Sequence, residues 1–176
     1  LIQGDVIQEQ ALEVALSETS FSWNTAAGPK QMLFNGKAYG DELRTLAISA
    51  WVSRIAQLGF VREHLVNQQR ILSQLGSVVM DGRDIGTVVF PEAELKIFMT
   101  ASPEVRAQRR YLELTEKGQE VNFNDILANV VERDRIDSSR EISPLKMADD
   151  ALILDNSHLT REQQLEWILQ RVKKIT

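Results

Sequence analysis

The stretch Asp81-Gly82-Arg83-Asp84-Ile85-Gly86 gathers two carboxylates, a guanidinium and two glycines within six residues. Aspartates at the end of a strand commonly reach a metal ion or its waters in phosphoryl transfer. An arginine offers a planar fork to phosphate, and glycines let backbone approach a ligand closely. The same residues also read as a strand-to-loop turn closed by an internal Arg–Asp pair. A second group, Arg133, Asp137 and Arg140, has spacings of four and three, which place all three on one face of a helix. The aspartate there could hold both guanidiniums or accept a hydrogen bond from a ligand hydroxyl. The plainer alternative is a ladder of solvated surface ion pairs, worth little. Ser138-Ser139 and Ser143-Pro144 end this helix amid the cluster, which suits a mobile phosphate clamp better than a rigid surface.

Other residues carry less information singly. Ser53 and Arg62, and the run Arg106, Arg109 and Arg110, read locally as solvated helix surface. His64 and His158 read as packed or exposed rather than catalytic. The only Gly-Lys pair, Gly36-Lys37, is followed by Ala38, so no G-x-x-x-x-G-K-[ST] loop cradles phosphates within this chain.

The elements that must position these groups follow from local patterns. Leu1-Ile2-Gln3-Gly4 reads as the end of a helix and a loop, and Asp5 to Leu16 as a helix. Phe21 to Tyr39 changes character: Phe21-Ser22-Trp23 alternates, Gly28-Pro29 breaks, Gln31 to Phe34 is strand-like, and Asn35-Gly36 signals a hairpin. A small antiparallel sheet is expected between helices. Glu42 to Leu75 predicts a long helical stretch broken near Gly59. Ser77 to Met80 reads as a short buried strand ending in the polar tip 81–84, Leu95 to Met99 as a second strand and Ala151 to Asp155 as a third. Ser102-Pro103-Glu104 opens a helix with an N-cap, a proline at N1 and an early acid, and that helix fades at Lys117-Gly118. Asn124 to about Ser138 is another helix, and Thr160 caps a last one, with Gln163 placed for a capping box. Apolar strands alternating with helices predict a parallel sheet covered on both faces, with ligands at the carboxyl ends of the strands.

Composition narrows the class. The 176 residues are 43% hydrophobic and 26% charged, with no cysteine and two histidines. Disulfides and cysteine-built zinc sites are thereby excluded. No apolar run approaches the ~20 residues that span a bilayer, and a cytoplasmic protein is the default expectation. The net charge is −5, against the basic face usual in duplex binding. Between Glu132 and Lys146 four cations meet four anions, which points to oriented guanidiniums rather than a diffuse basic surface.

Taken together, these residues resemble the bacterial type of cytidylate kinase, a P-loop nucleoside monophosphate kinase. The most specific stretch is Asp81-Gly-Arg-Asp-Ile-Gly-Thr-Val-Val-Phe-Pro91. Ala101 to Arg110, Lys117-Gly118 and Val121-Asn122-Phe123 look like the helix and lid that follow. Glu132-Arg-Asp-Arg-Ile-Asp137 through Arg140 and Pro144-Leu145 resemble the next block, and Leu43-Arg44-Thr45 after a β-rich insert is characteristic of the bacterial type.

The resemblance implies ATP-dependent phosphoryl transfer, with Mg²⁺, to CMP or dCMP, giving CDP or dCDP. It implies that Ser53, Arg62 and Asp84 read the cytosine, that Arg83 meets the CMP phosphate, that Arg133 and Asp137 meet the sugar, and that Arg140 meets the phosphates. Asp81 would lie near magnesium, through water, and with Arg83, Arg133 and Arg140 would form the catalytic set. Arg109, with Arg106 or Arg110 beside it, would serve ATP at the lid. An aspartate can accept from the exocyclic amine of cytosine, a donor that uracil lacks.

The implied fold is α/β: a P-loop NTP hydrolase-like, three-layer α/β/α parallel sheet, with its core in 1–20 and 43–176. A β-rich NMP-binding insert at 21–42 and a helical lid near 107–125 complete it. A monomer is implied, with nucleotides as partners and neither nucleic acid nor membrane. The departure is that family members begin with a strand, the P-loop and a helix, none of which matches anything here. That strand is central in the family fold, beside those corresponding to Val78–Met80 and Lys96–Met99, whose edges would otherwise stand unpaired. The expectation is a late start or a fragment, with negligible kinase activity by itself. The rival expectations are a non-catalytic nucleotide-binding protein, a related small-molecule kinase with another acceptor, and a nucleic-acid module using the arginine helix.

Overall fold

A computed structural model describes residues 1–3, 6–24, 31–40, 43, 45–74 and 76–175. Of Gln3, Leu46, Ser49 and Ser53 only the backbone is described. The expected break at Gly28-Pro29, and Arg44, lie outside the described residues. The chain divides into two compact units, Leu1–Met80 and Asp81–Thr176.

The first unit opens on a pair of short strands. Instead of a helix end and loop, β1 (Ile2–Gln3) pairs antiparallel with β2 (Val6–Ile7), Ile2 opposite Ile7. β-Branched residues favour such extended pairing, and helix α1 begins only at Glu9 (Glu9–Ser17). The small sheet forms as its turn chemistry predicts. Strands β3 (Phe21–Trp23), β4 (Met32–Phe34) and β5 (Lys37–Ala38) are antiparallel in that order. The β4–β5 turn has φ of 49° at Asn35 and 75° at Gly36, a left-handed pair that Asn-Gly adopts with little strain. Asn35 Oδ1 also accepts from the Ser20 amide at 2.7 Å.

Helices α2 (Leu46–Ile55) and α3 (Gly59–Ser73) are interrupted where the sequence predicts, just before Gly59. Thr45 caps α2 by accepting from the Ile48 amide. Helix α1 packs on α3, and α3 on β3, with Thr19 Oγ1 and His64 Nε2 in hydrogen-bond contact at 3.0 Å. Residues 77–80 form no strand and are not buried: Val78 and Val79 are exposed. A strand is defined by its ladder, and among the described residues nothing pairs with this segment. Apolar composition alone therefore did not suffice there.

The second unit begins at Asp81. A π-turn (Ile85–Val89) leads to β6 (Ile97–Thr100), α4 (Pro103–Glu116), α5 (Phe123–Ser139), β7 (Leu152–Asp155) and α6 (Arg161–Val172). Strands β6 and β7 pair in parallel, Ile97 opposite Leu152 and Thr100 opposite Asp155, with α4 and α5 between them in the chain, as a parallel crossover requires. The sheet is not covered on both faces among the described residues, because Met99 and Ile153 remain exposed. Helices α4 and α5 pack together; Ala107, Leu114 and Ile126 are buried, and Tyr111 meets Phe123 edge-on. No helix among the described residues is long and apolar enough to cross a membrane.

The caps act as the sequence predicts. Ser102 accepts from the Val105 amide, and Thr160 and Gln163 form a complete capping box. Thr160→Ala is expected to lower stability by about 1 kcal/mol, readable as a shifted urea midpoint with unchanged slope. Lys96 lies just before β6 with its ammonium on the Asp150 carboxylate at 2.7 Å and on the Pro91 carbonyl. Its stem closes on Gly86 in the π-turn. The hydrogen bond from Lys96 holds the Asp150 pKa below its ordinary value. A carboxylate with a depressed folded pKa contributes stability above its unfolded pKa and loses it as pH falls through the folded one. Lys96→Met should therefore flatten the acid limb of the stability curve, below the ordinary carboxylate range, as followed by thermal melts at stepped pH.

Candidate functional site

The described candidate groups fall into the two units, each with its own surroundings. In the first, Ser53 lies on α2, and its side chain is outside the description. Arg62 lies in the first turns of α3, half-buried, with Nη1 reaching back 3.5 Å to the Ala56 carbonyl. It is held at the α2–α3 junction rather than extended into solvent.

In the second unit, Asp81 is exposed, and it follows a segment that pairs with no strand among the described residues. Asp84 is buried. Its carbonyl accepts from the amides of Thr87, Val88 and Val89, which winds the wide π-turn. Such turns are rare and frequently sit at functional sites. Gly82 allows the tight approach: a Cβ there would lie 2.8 Å from Ile85 Cγ1 and 2.9 Å from its Cδ1. The hydrogen bond of Arg83 is not the local pair the sequence admits. Its Nε donates to Asp137 Oδ2 at 3.1 Å, across 54 positions.

Asp137 is thus a hub. Its carboxylate, 3% exposed, meets Arg83 at 3.1 Å, Arg140 Nη1 at 3.5 Å and Arg133 Nε at 3.7 Å. Only the first is a hydrogen bond; the others are ion pairs at longer range. Three guanidiniums converge on one carboxylate. Burial, and next the charge of Arg83, push the Arg133 pKa below its ordinary value, while Asp137 acts in the opposite sense. Cations crowded away from water favour an incoming anion, because each oxygen that arrives relieves both desolvation and repulsion.

This rules out a solvated surface ladder for 133–140. The clamp expected at the end of α5 is tethered at Arg140. Arg140 follows the last turn of α5 and is buried. The chain beyond it is fastened back, Leu145 N donating to the Asp137 carbonyl at 2.7 Å and Arg140 Nε to the Ser143 carbonyl at 2.6 Å.

The α4 arginines face different partners. Arg106 forms a two-pronged pair with Asp134, at 2.9 and 2.5 Å, and donates from Nε to the Ala101 carbonyl. The pair ties α4 to α5, and its hydrogen bond raises the Arg106 pKa. Arg109 donates to Asn156, at 2.9 Å to Oδ1 and 2.5 Å to the carbonyl oxygen. Arg110 pairs with Glu113 one turn on. Sequence reasoning missed Asp134 and Asn156. Nothing local marks Asp134 as the partner of Arg106, whereas Asn156, directly after β7, had its strand-end position as a signal.

Comparison with known proteins shows the family. A family model described as cytidylate kinase matches residues 2–174. A cytidylate kinase of Bacteroides fragilis is 51% identical over 176 residues, covering 99% of this chain and 77% of that protein. The cytidylate kinase of Bacteroides thetaiotaomicron is 50% identical, with 99% and 77% covered, and that of Flavobacterium johnsoniae 48%, with 99% and 76%. With the family model matching nearly the whole chain and relatives at about 50% identity, the chain belongs to the cytidylate kinase family.

Proposed function

We propose that this chain supplies the acceptor side of an ATP-dependent transfer of phosphoryl to CMP or dCMP, giving CDP or dCDP. The observation that carries the reading is the convergence of Arg83, Arg133 and Arg140 on the buried Asp137. In the reaction an oxygen of the CMP phosphate bonds to the terminal phosphorus of ATP as the bond to ADP breaks. Protein groups need do no covalent work; they hold oxygens in line and stabilise charge. Arg83 and Arg140 would take phosphate oxygens, Arg133 and Asp137 the sugar, and Ser53, Arg62 and Asp84 the cytosine. Arg109, with Arg106 or Arg110, would serve the ATP side from the lid near 107–125, alongside the NMP-binding insert at 21–42. The fold would then be the three-layer P-loop kinase type, working as a cytoplasmic monomer.

Among the described residues no cluster of three or more His, Cys, Asp or Glu could hold a metal ion. Magnesium would be carried chiefly by the nucleotide phosphates, with the exposed Asp81 reaching it through water. Magnesium so bound supplies charge neutralisation on the transferring phosphoryl group.

Calorimetric titration with CMP, UMP and AMP tests the reading. A clear preference for CMP is expected, because a carboxylate that accepts from the cytosine amine would face the carbonyl oxygen of uracil instead, a second acceptor. A folded sample that binds none of the three would overturn the acceptor-site assignment. A polypeptide of these 176 residues alone is expected to show negligible turnover of CMP with ATP, for want of a P-loop within them; an ordinary kinase rate would contradict that.

A further inference from the structure

Two non-glycine residues among those described have a left-handed backbone, Asn35 at φ 49° and Ser143 at φ 50°. The first is explained by its hairpin turn. The second has no strand pair to close and stands directly before Pro144, where a following ring narrows the choice of conformation further. A residue with a Cβ takes up this conformation at a cost, and it persists only where its surroundings over-determine it. What surrounds Ser143 is Arg140. The Ser143 carbonyl accepts from Arg140 Nε at 2.6 Å, Asp137 Oδ1 lies 3.5 Å from Arg140 Nη1, and two residues later Leu145 N closes on the Asp137 carbonyl. The chain reverses around the guanidinium and holds it from two sides.

We infer that Ser143 is a positioning residue for Arg140: its left-handed backbone aims a carbonyl at Nε and sets the plane in which the guanidinium meets the acceptor phosphate. The inference rests on the proposed reading of Arg140 as a phosphate-binding residue. The serine hydroxyl has no part in it. What matters is φ, and φ is what substitution can change. Glycine enters the left-handed region freely and asparagine readily, whereas a β-branched residue strongly resists it. Holding Nε also has a specific consequence. Misaligning one guanidinium should weaken binding of a ligand that carries phosphate and spare one that does not.

The experiment compares CMP and cytidine binding by NMR-detected titration for the wild-type protein, Ser143→Val, Ser143→Gly and Ser143→Asn. Ser143→Val should weaken CMP about tenfold while cytidine binding is unchanged, and the glycine and asparagine variants should keep wild-type CMP affinity. Retained cytidine binding in the valine variant also reports that it is folded. Equal loss of CMP and cytidine with valine would reduce Ser143 to a general structural role and overturn the inference. So would an undiminished CMP affinity with valine, or a loss with glycine matching that with valine. A wild-type protein that binds CMP no better than cytidine would instead remove the phosphate site itself, and this inference with it.

Discussion

Asp137→Ala should destabilise the second unit by about 3–5 kcal/mol, the cost of removing one partner from a buried ion pair. The carboxylate is 3% exposed and gathers Arg83, Arg133 and Arg140. Without it the guanidinium of Arg140, equally buried, would keep its desolvation penalty and lose this compensating charge. Burial and the neighbouring Arg83 already depress the Arg133 pKa, so repulsion within the cluster would rise as well. Urea unfolding of wild type, Asp137→Ala and Asp137→Asn measures this. The asparagine variant should fall between the others, since an amide oxygen can still accept from Arg83 but brings no charge. A loss below about 1 kcal/mol for alanine would place the group among ordinary surface pairs, contrary to its burial. The phosphate of CMP should partly rescue the variant, because an anion supplied from solution can replace the missing carboxylate.

The second large effect is on binding rather than folding. Arg83 is 39% exposed and Asp137 buried, so Arg83→Met removes a guanidinium from the rim of the cluster without leaving a buried cation stranded. CMP affinity is expected to fall roughly ten- to a hundredfold, as when one charge-assisted hydrogen bond to phosphate is lost. The thermal midpoint should fall less than in Asp137→Ala, because Arg133 and Arg140 still face the buried carboxylate that loses its Arg83 hydrogen bond. Arg83→Lys should recover only part of the loss, since an ammonium brings charge without the planar fork. Isothermal titration reads both variants. Unchanged CMP affinity in Arg83→Met would confine Arg83 to the structural pair with Asp137 and take it out of the phosphate site.

The legible parts of this chain were those governed by neighbours in sequence. Ser102 and Thr160 capped their helices because a short hydroxyl side chain needs only amides two or three residues ahead. Asn35-Gly36 turned the hairpin because left-handed backbone is cheap for that dipeptide alone. The spacing of Arg133, Asp137 and Arg140 foretold their shared environment, since helical geometry is periodic. The 77–80 segment failed for the converse reason. Whether an extended apolar segment is a strand depends on what pairs with it, and its own residues do not state that.

The candidate site shows the same division. Its residue types, and the family to which their motifs belong, were determined by the sequence alone. That Arg83 reaches Asp137 across 54 positions, Arg106 reaches Asp134 across 28 and Arg109 reaches Asn156 across 47 was decided only by the tertiary structure. A guanidinium is a long, flexible donor that can satisfy itself with any carboxylate or carbonyl in reach. Composition and spacing therefore say that it will find an acceptor, and only packing says which one, how deeply buried, and with how many other cations beside it.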